Sequence, residues 1–264
     1  MTNNQLYTFI TLQEGSNGVE FGRYPQGENG EILPIAWRVL ETNRKREMLI
    51  LSEKVLDIAP YHNRYVATDW ADSDIRKLLN GYHPNTRSIF DDDSVMYEDK
   101  TSFYAKAFSV KERSKIILSP TQRNGSYNGR NFSYNKTESK DTSDWVFLLS
   151  VREVGKYFGQ GSVKTCDGEF VGFLTTPLDG AIAQRTEYAY KKRIDNGKAS
   201  KVFMEALIPE KESSWWLRNR GSHSHKSAVY VGADGIVHTC GNHVTYDTIG
   251  VRPALWLKLD GGQN

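Results

Sequence analysis

Trp215-Trp216-Leu217-Arg218 and Gly250-Val251-Arg252-Pro253-Ala254-Leu255-Trp256 decide how this chain is read. Between these two aromatic and arginine-bearing ends runs a segment of His, Ser, Asn, Tyr, Thr and Gly. Four of the six histidines of the chain, His223, His225, His238 and His243, fall there. Fixed ends around a polar middle describe a scaffold that presents a surface, and so point to binding rather than bond-making. The ends are read as structural. Trp bodies fill gaps between short strands, and planar guanidinium groups bridge the carbonyls and carboxylates that loop-rich interiors leave unpaired. The alternative for Trp215, Trp216, Trp256, Arg218 and Arg252 is a ligand cage.

Outward from this segment, the C-terminal quarter reads as short strands. Ala228 to Val231 and Ile236 to Thr239 flank Gly232-Ala233-Asp234-Gly235, a hairpin signal. Val251 to Leu259 reads as the closing strand, and Pro253 within it implies an edge or bulged position. Near the start, Val19 to Tyr24 alternates and stops at Pro25. Pro34 to Leu40 and Glu47 to Ser52 form a second hairpin about Asn43-Arg44-Lys45-Arg46. Pro60 to Val66 is loop. Helices are expected from Asp72-Ser73 to Leu79, ended by Asn80-Gly81, and from the capping boxes Ser109-x-x-Glu112 and Ser150-x-x-Glu153. Pro120 closes the second of these. A further helix is expected from about Asp179 to Lys192. Trp37 and Trp145, in apolar strands, are expected in the core. Residues 121–144 bury almost nothing and read as one long exposed loop.

Composition narrows the function classes. The 264 residues suit one large domain with enough core to fold unaided. Lys and Arg number 34 against 32 Asp and Glu, a net charge of +2 that gives no case for nucleic acid. Lys191-Lys192-Arg193 is flanked by Glu187 and Asp195 and reads as a solvated face. No apolar run approaches the length of a membrane span, and the N-terminus lacks a secretory pattern. The two cysteines, Cys166 and Cys240, belong to no C-x-x-C pair. The expectation is a soluble, cytoplasmic chain with free thiols. Asp91-Asp92-Asp93 lacks EF-hand spacing and reads as an acidic turn.

Taken in order, several blocks resemble one family. They are Phe21-Gly22-Arg23-Tyr24-Pro25-Gln26, Pro34 to Leu40, Leu49-Ile50-Leu51-Ser52, Ser73 to Asn80, Val146 to Ser150, Lys156-Tyr157-Phe158 and the two closing stretches. Together they resemble the bacterial domain family DUF6273 from about Val19 to Leu259. Residues 1–18 are then an N-terminal extension and 19–260 a single domain. More distantly, the closing pattern is similar to the C-type lectin-like fold in its formylglycine-generating-enzyme form. That resemblance implies an α+β fold with short mixed or antiparallel strands, two to four helices and long loops. It also implies a surface of the kind varied by diversity-generating retroelements, in which Asn codons become Ser, His, Tyr, Asp, Gly, Arg or Cys on a fixed scaffold.

Within 219–247 the candidate contact residues are Asn219, Arg220, Ser222, His223, Ser224, His225, Lys226, Tyr230, His238, Asn242, His243, Tyr246 and Asp247. Tyr, Ser, Asn and Gly supply adaptable contact area at low ordering cost, as in paratopes. The expected partner is a macromolecule, a protein rather than nucleic acid or membrane, with no cofactor and no catalytic residue. The rival is a metal-dependent enzyme built on His223, His225, His238, Cys240 and His243, all competent zinc ligands. Their spacing matches no standard finger. The enzyme branches of the resembling fold need either a close cysteine pair or a His-x-x-x-His-x-Glu run, and neither pattern occurs. Ser222, His225 and Asp234 compose a hydrolytic triad only on paper, since there is no Gly-x-Ser-x-Gly elbow. Phosphate-binding glycine loops are absent from the sequence as well.

Overall fold

The computed structural model describes residues 6–13, 15–81, 101–121, 141–159, 177–196, 211–222 and 224–260. The fold is mixed and rich in sheet, with five short α-helices among the described residues. Cys166 and Asp91 to Asp93 lie outside them, as do residues 122–140 of the long loop.

The first sheet is built from strands close in sequence: β1 (Thr8–Thr11), β2 (Asn17–Pro25), β3 (Ile32–Thr42) and β4 (Glu47–Ser52). Thr8–Thr11, in the stretch read as an extension, pair antiparallel with β2 and form an edge of the sheet. The expected hairpin of β3 and β4 forms. Asn43 Oδ1 accepts the N–H of Lys45 and of Glu47, closing the turn in which Arg46 adopts φ 61°.

After β5 (Asp57–Ile58), the chain enters α1 (Asp74–Asn80). Ser73 caps its first turn, and Gly81 ends it in the left-handed conformation at φ 78°. Next come α2 (Phe103–Ala107) and α3 (Val110–Arg113), then β6 (Ile116–Ile117), β7 (Ser119–Thr121) and β8 (Thr142–Asp144). The capping box at Ser109 forms, but its helix lasts a single turn. Ile116 and Ile117 leave it to pair with Leu257 and Trp256, because β-branched residues gain more in the sheet than in a continued helix. Thr121 and Thr142, at the two ends of the long loop, pair in a two-stranded ribbon.

The apolar strand expected around Trp145 is instead an extended segment, joined to Ala254 by a mutual pair of hydrogen bonds at Phe147 and fastened further by Asn80 and Arg218. Trp145 is only half-buried and stacks on Tyr104, ring centroids 5.1 Å apart. Trp37, in contrast, is fully buried. The capping box at Ser150 starts α4 (Val151–Phe158) as expected.

The helix expected from Asp179 divides. A 3₁₀ turn over Asp179–Ala181 is followed by extended backbone, and α5 covers Glu187–Asn196. The division arises because the Val55 N–H donates to Gln184 O and the Thr186 N–H to Val55 O, which holds the intervening residues extended.

The second sheet comes from the closing quarter: β9 (Trp215–Arg220), β10 (Ser227–Val231), β11 (Val237–His243) and β12 (Gly250–Val251), with β13 (Ala254–Lys258) beyond them. Its order is β11-β10-β9-β12-β5, while the first sheet runs β1-β2-β3-β4-β13-β6. Gly250 to Trp256 is therefore not one strand but a crossing from the second sheet to the first. Pro253 sits in the crossing, where its missing N–H costs nothing and its carbonyl accepts the Ser52 N–H at 2.9 Å. The strand after it is interior, flanked by β4 and β6, and Pro253 precedes it, so the expected edge or bulged position within a strand is corrected.

Between the sheets the core is closed by large side chains with polar ends. Trp37, Trp70, Trp215 and Trp216 are fully buried, and each indole N–H has an acceptor: Phe21 O, Asp144 Oδ2, Ala181 O and Ala59 O. Arg252 is 0% exposed, its guanidinium donating to Ser52 O, Ala181 O and Glu53 O beside the Trp215 ring. Arg218 is 4% exposed and donates to Leu148 O and both Glu153 oxygens. The arginines of the two bracketing stretches thus pair with carbonyls and a carboxylate inside the fold.

Candidate functional site

Edge strand β11, its neighbour β10 and the loops at one end of the second sheet carry most of the residues from 219 to 247. Packing sorts these residues by exposure. Asn219 and Arg220 are buried at 6% and 9%. Asn219 Oδ1 accepts the N–H of Val151, the first residue of α4, and so belongs to the frame. Ser222, His225, Lys226, His243, Tyr246 and Asp247 are exposed, while Ser224, Tyr230, His238 and Asn242 are half-buried. His223 lies outside the described residues.

The exposed group is gathered by backbone bonds among three loops. His62 N–H donates to Val244 O at 2.8 Å, Val244 N–H to Lys226 O at 3.0 Å, and Thr68 N–H to His225 O at 3.1 Å. Residues 61–68, 224–226 and 243–248 therefore meet at one place. The pairing of β10 with both neighbours shifts register between Ala228 and Tyr230, a bulge that bends the sheet end while Ser227 and Ala228 stay paired with His243 and Asn242. Gly241, at φ 79°, allows this geometry, since a Cβ on it would stand 2.6 Å from Ala228 O. Ser227 Oγ closes the second loop by donating to Ser224 O at 2.7 Å.

On this base stand rings. Tyr65 and His243 lie with centroids 4.8 Å apart, and His243 meets Tyr246 edge-on at 5.8 Å. Lys226 Nζ stands 4.9 Å from the Tyr65 ring centroid. Tyr65 is 48% exposed, Val66 43% and Tyr246 47%. Alongside, Tyr230 and His238 stack in parallel at 4.5 Å, an interplanar angle of 4°. Burial first, then the charges of Asp234 and Tyr246, push the Tyr230 hydroxyl above its ordinary value, which keeps it a neutral donor. Tyr65 and Val66 were not among the residues expected from sequence. The one local signal was an aromatic and a branched apolar residue at the tip of a polar loop, with nothing nearby in sequence to bury them.

Residues 45–259 match the model of a family described as a domain of unknown function, DUF6273. The chain belongs to this family. The DUF6273 match begins in the turn before β4 and ends just after β13, so it holds all three loops. Strands β1, β2 and β3 precede it, although they complete the same sheet. No curated protein matches the chain, and no solved structure does.

Within the described part of the DUF6273 chain, no three His, Cys, Asp or Glu side chains converge in a way that would hold a metal ion. Asp234, the acid of the paper triad, uses Oδ1 to accept the Ile236 N–H inside the β10–β11 turn. Cys240 is an exposed free thiol on β11. No helix of the described residues is long and apolar enough to cross a membrane. What the arrangement offers chemically is contact: ring faces and edges, one ammonium, three imidazoles and several hydroxyl and amide groups, on a backbone tied at three points.

Proposed function

We propose that this DUF6273 chain binds a protein partner, without catalysis, through the surface made by Tyr65, Val66, His225, Lys226, Tyr230, His238, Asn242, His243, Tyr246 and Asp247. The observation that carries the reading is the Tyr65–His243–Tyr246 ring group with Lys226. It is solvent-exposed yet mounted on loops cross-linked by main-chain hydrogen bonds. Rigid aromatic anchors of this kind give large contact area at little entropic cost and dominate interface energies.

The finer part of the proposal is a C-type lectin-like architecture whose residues 219–247 are diversified by a retroelement. Its support is the separation of roles within the segment. Trp215, Trp216, Arg218 and Asn219 are buried in the frame, while Ser222, His225, Asn242, His243, Tyr246 and Asp247, residue types reachable from Asn codons, reach the surface. A cytoplasmic setting belongs to the same reading and accords with the unpaired Cys240 thiol.

The test uses two steps on the full chain. A photoreactive residue at position 246 should capture a protein that the same residue at Val110, exposed but remote in sequence, does not. Changing Tyr65, His243 and Tyr246 together to Ala should then weaken binding of that protein by about 100-fold or more while the melting temperature stays nearly constant. Unchanged affinity, or unfolding of the triple variant, overturns the reading.

A further inference from the structure

Two cations stand among the rings of this surface with no carboxylate to pair them. Lys226 is exposed, and its Nζ lies 4.9 Å from the Tyr65 ring centroid. Its backbone is fixed, since the Lys226 N–H donates to Ser224 Oγ at 3.1 Å and its carbonyl accepts the Val244 N–H at 3.0 Å. Arg64 is exposed beside Tyr65, on a tight turn in which the Val66 N–H donates to Arg64 O at 2.8 Å. Among the described residues, neither side chain makes a hydrogen bond or an ion pair.

The carboxylates that flank the first loop are used inside the fold. Asp74 accepts the Asn63 N–H on one oxygen and the Lys77 ammonium on the other, and Asp69 Oδ1 accepts the Asp72 N–H. Of residues 61–68, 224–226 and 243–248, Asp247 alone carries a carboxyl, and its backbone carbonyl is held by Asn196 of α5. The positive charge of Arg64 and Lys226 is thus turned outward next to the rings, where it acts on whatever approaches.

We propose that this surface selects an acidic segment of its partner protein: carboxylates of that segment meet Arg64 and Lys226 while an apolar or aromatic side chain beside them covers Tyr65 and Tyr246. The proposal rests on the reading of the surface as a protein-binding site, and it adds Arg64 as a residue that sets specificity. Opposite charge across an interface steers the encounter and disfavours wrong partners, whereas an exposed ion pair adds little raw affinity. Rings supply the holding contact and the cations supply the choice. Carboxylates suit the site better than a phosphate group does. Phosphate is cradled by several backbone N–H groups at once, and here the amides of Asn63, Val66, Thr68, Lys226 and Tyr246 already donate within the loops.

Peptide display on the full chain reads this selection directly. A random-sequence library is panned on the unaltered chain, on Arg64→Glu with Lys226→Glu, and on Tyr65→Ala with His243→Ala and Tyr246→Ala. Peptides kept by the unaltered chain should be enriched in Asp and Glu. They should bind the charge-reversed chain about tenfold or more weakly at low salt, with the gap narrowing at high salt. The charge-reversed chain should enrich Lys and Arg instead. Arg64→Glu alone leaves the Lys226–Tyr65 contact in place and should show part of the effect, so a disturbed Tyr65 ring cannot imitate it. Peptides without an acidic excess, equal affinity for the charge-reversed chain, no peptide kept at all, or retention on phosphatidylserine vesicles in place of peptides overturns the proposal. The three-ring variant tells the two readings apart. Acidic peptides that bind it as well as they bind the unaltered chain overturn the ring surface together with the proposal. Acid-poor peptides that it loses overturn the acidic selection alone.

Discussion

Two regions of this molecule use the same side-chain types to opposite ends. In the frame, Trp215, Trp216, Arg218 and Arg252 are buried, and their polar groups are met by Ala181, Ala59, Leu148, Ser52 and Glu53 oxygens and the Glu153 carboxylate. On the rim, Tyr65, His243, Tyr246 and Lys226 form the same kind of ring-and-cation group, but they stack on one another and keep their free faces in water. Residue type alone does not separate an anchor from a contact. What separates them is whether the polar end of the side chain finds its partner inside the fold.

The comparison predicts a graded set of effects. Arg252→Ala should be the most damaging single change. It removes a fully buried guanidinium and takes the donor from Ser52 O and Glu53 O, while Ala181 O keeps the Trp215 indole, a loss of about 3 kcal/mol or more in denaturant unfolding. If the loss is below about 1 kcal/mol, the frame is not set by its arginines. Glu153→Gln weakens the Arg218 bridge and the acceptor of the Ser150 N–H, and chemical denaturation should register a loss of about 2 kcal/mol. Ser150→Ala removes only the cap of α4, and a thermal melt should show a cost of about 1 kcal/mol. Tyr65→Ala and Tyr246→Ala should each shift stability by no more than about 0.5 kcal/mol, because each ring is about half exposed. A large loss from either rim change would erase the distinction between the regions.

Much of the frame was legible because its signals are local. The capping boxes Ser109/Glu112 and Ser150/Glu153, the stop at Asn80-Gly81 and the turn Gly232 to Gly235 are each written within a few residues, and each forms. Other elements were misread where a distant strand outbid the local preference. Val55 holds residues 184–186 extended and splits the expected helix, and β13 draws Ile116 and Ile117 out of another. Pro253 looked like an edge signal but marks a passage between sheets, since proline reports only a missing donor and not where the chain goes next.

The candidate surface shows the same division. Polar residues between 219 and 247 were visible as a group, but Tyr65, which meets His243, and His62, which ties the two loops, come from a loop far away in sequence. Asn219 and Arg220 look in sequence like the residues around them, yet they are buried.

By itself the sequence determined the family, the capped helices, the hairpins and the contrast between apolar ends and a polar middle. These follow from interactions spanning a few residues or from the order of short motifs. Tertiary structure alone decided which polar residues reach solvent, that Gly250 to Trp256 joins two sheets, and that Tyr65, Lys226, His243 and Tyr246 share one surface. Each of those depends on contacts between segments far apart in the chain, and burial is a property of the packed whole that no local pattern encodes.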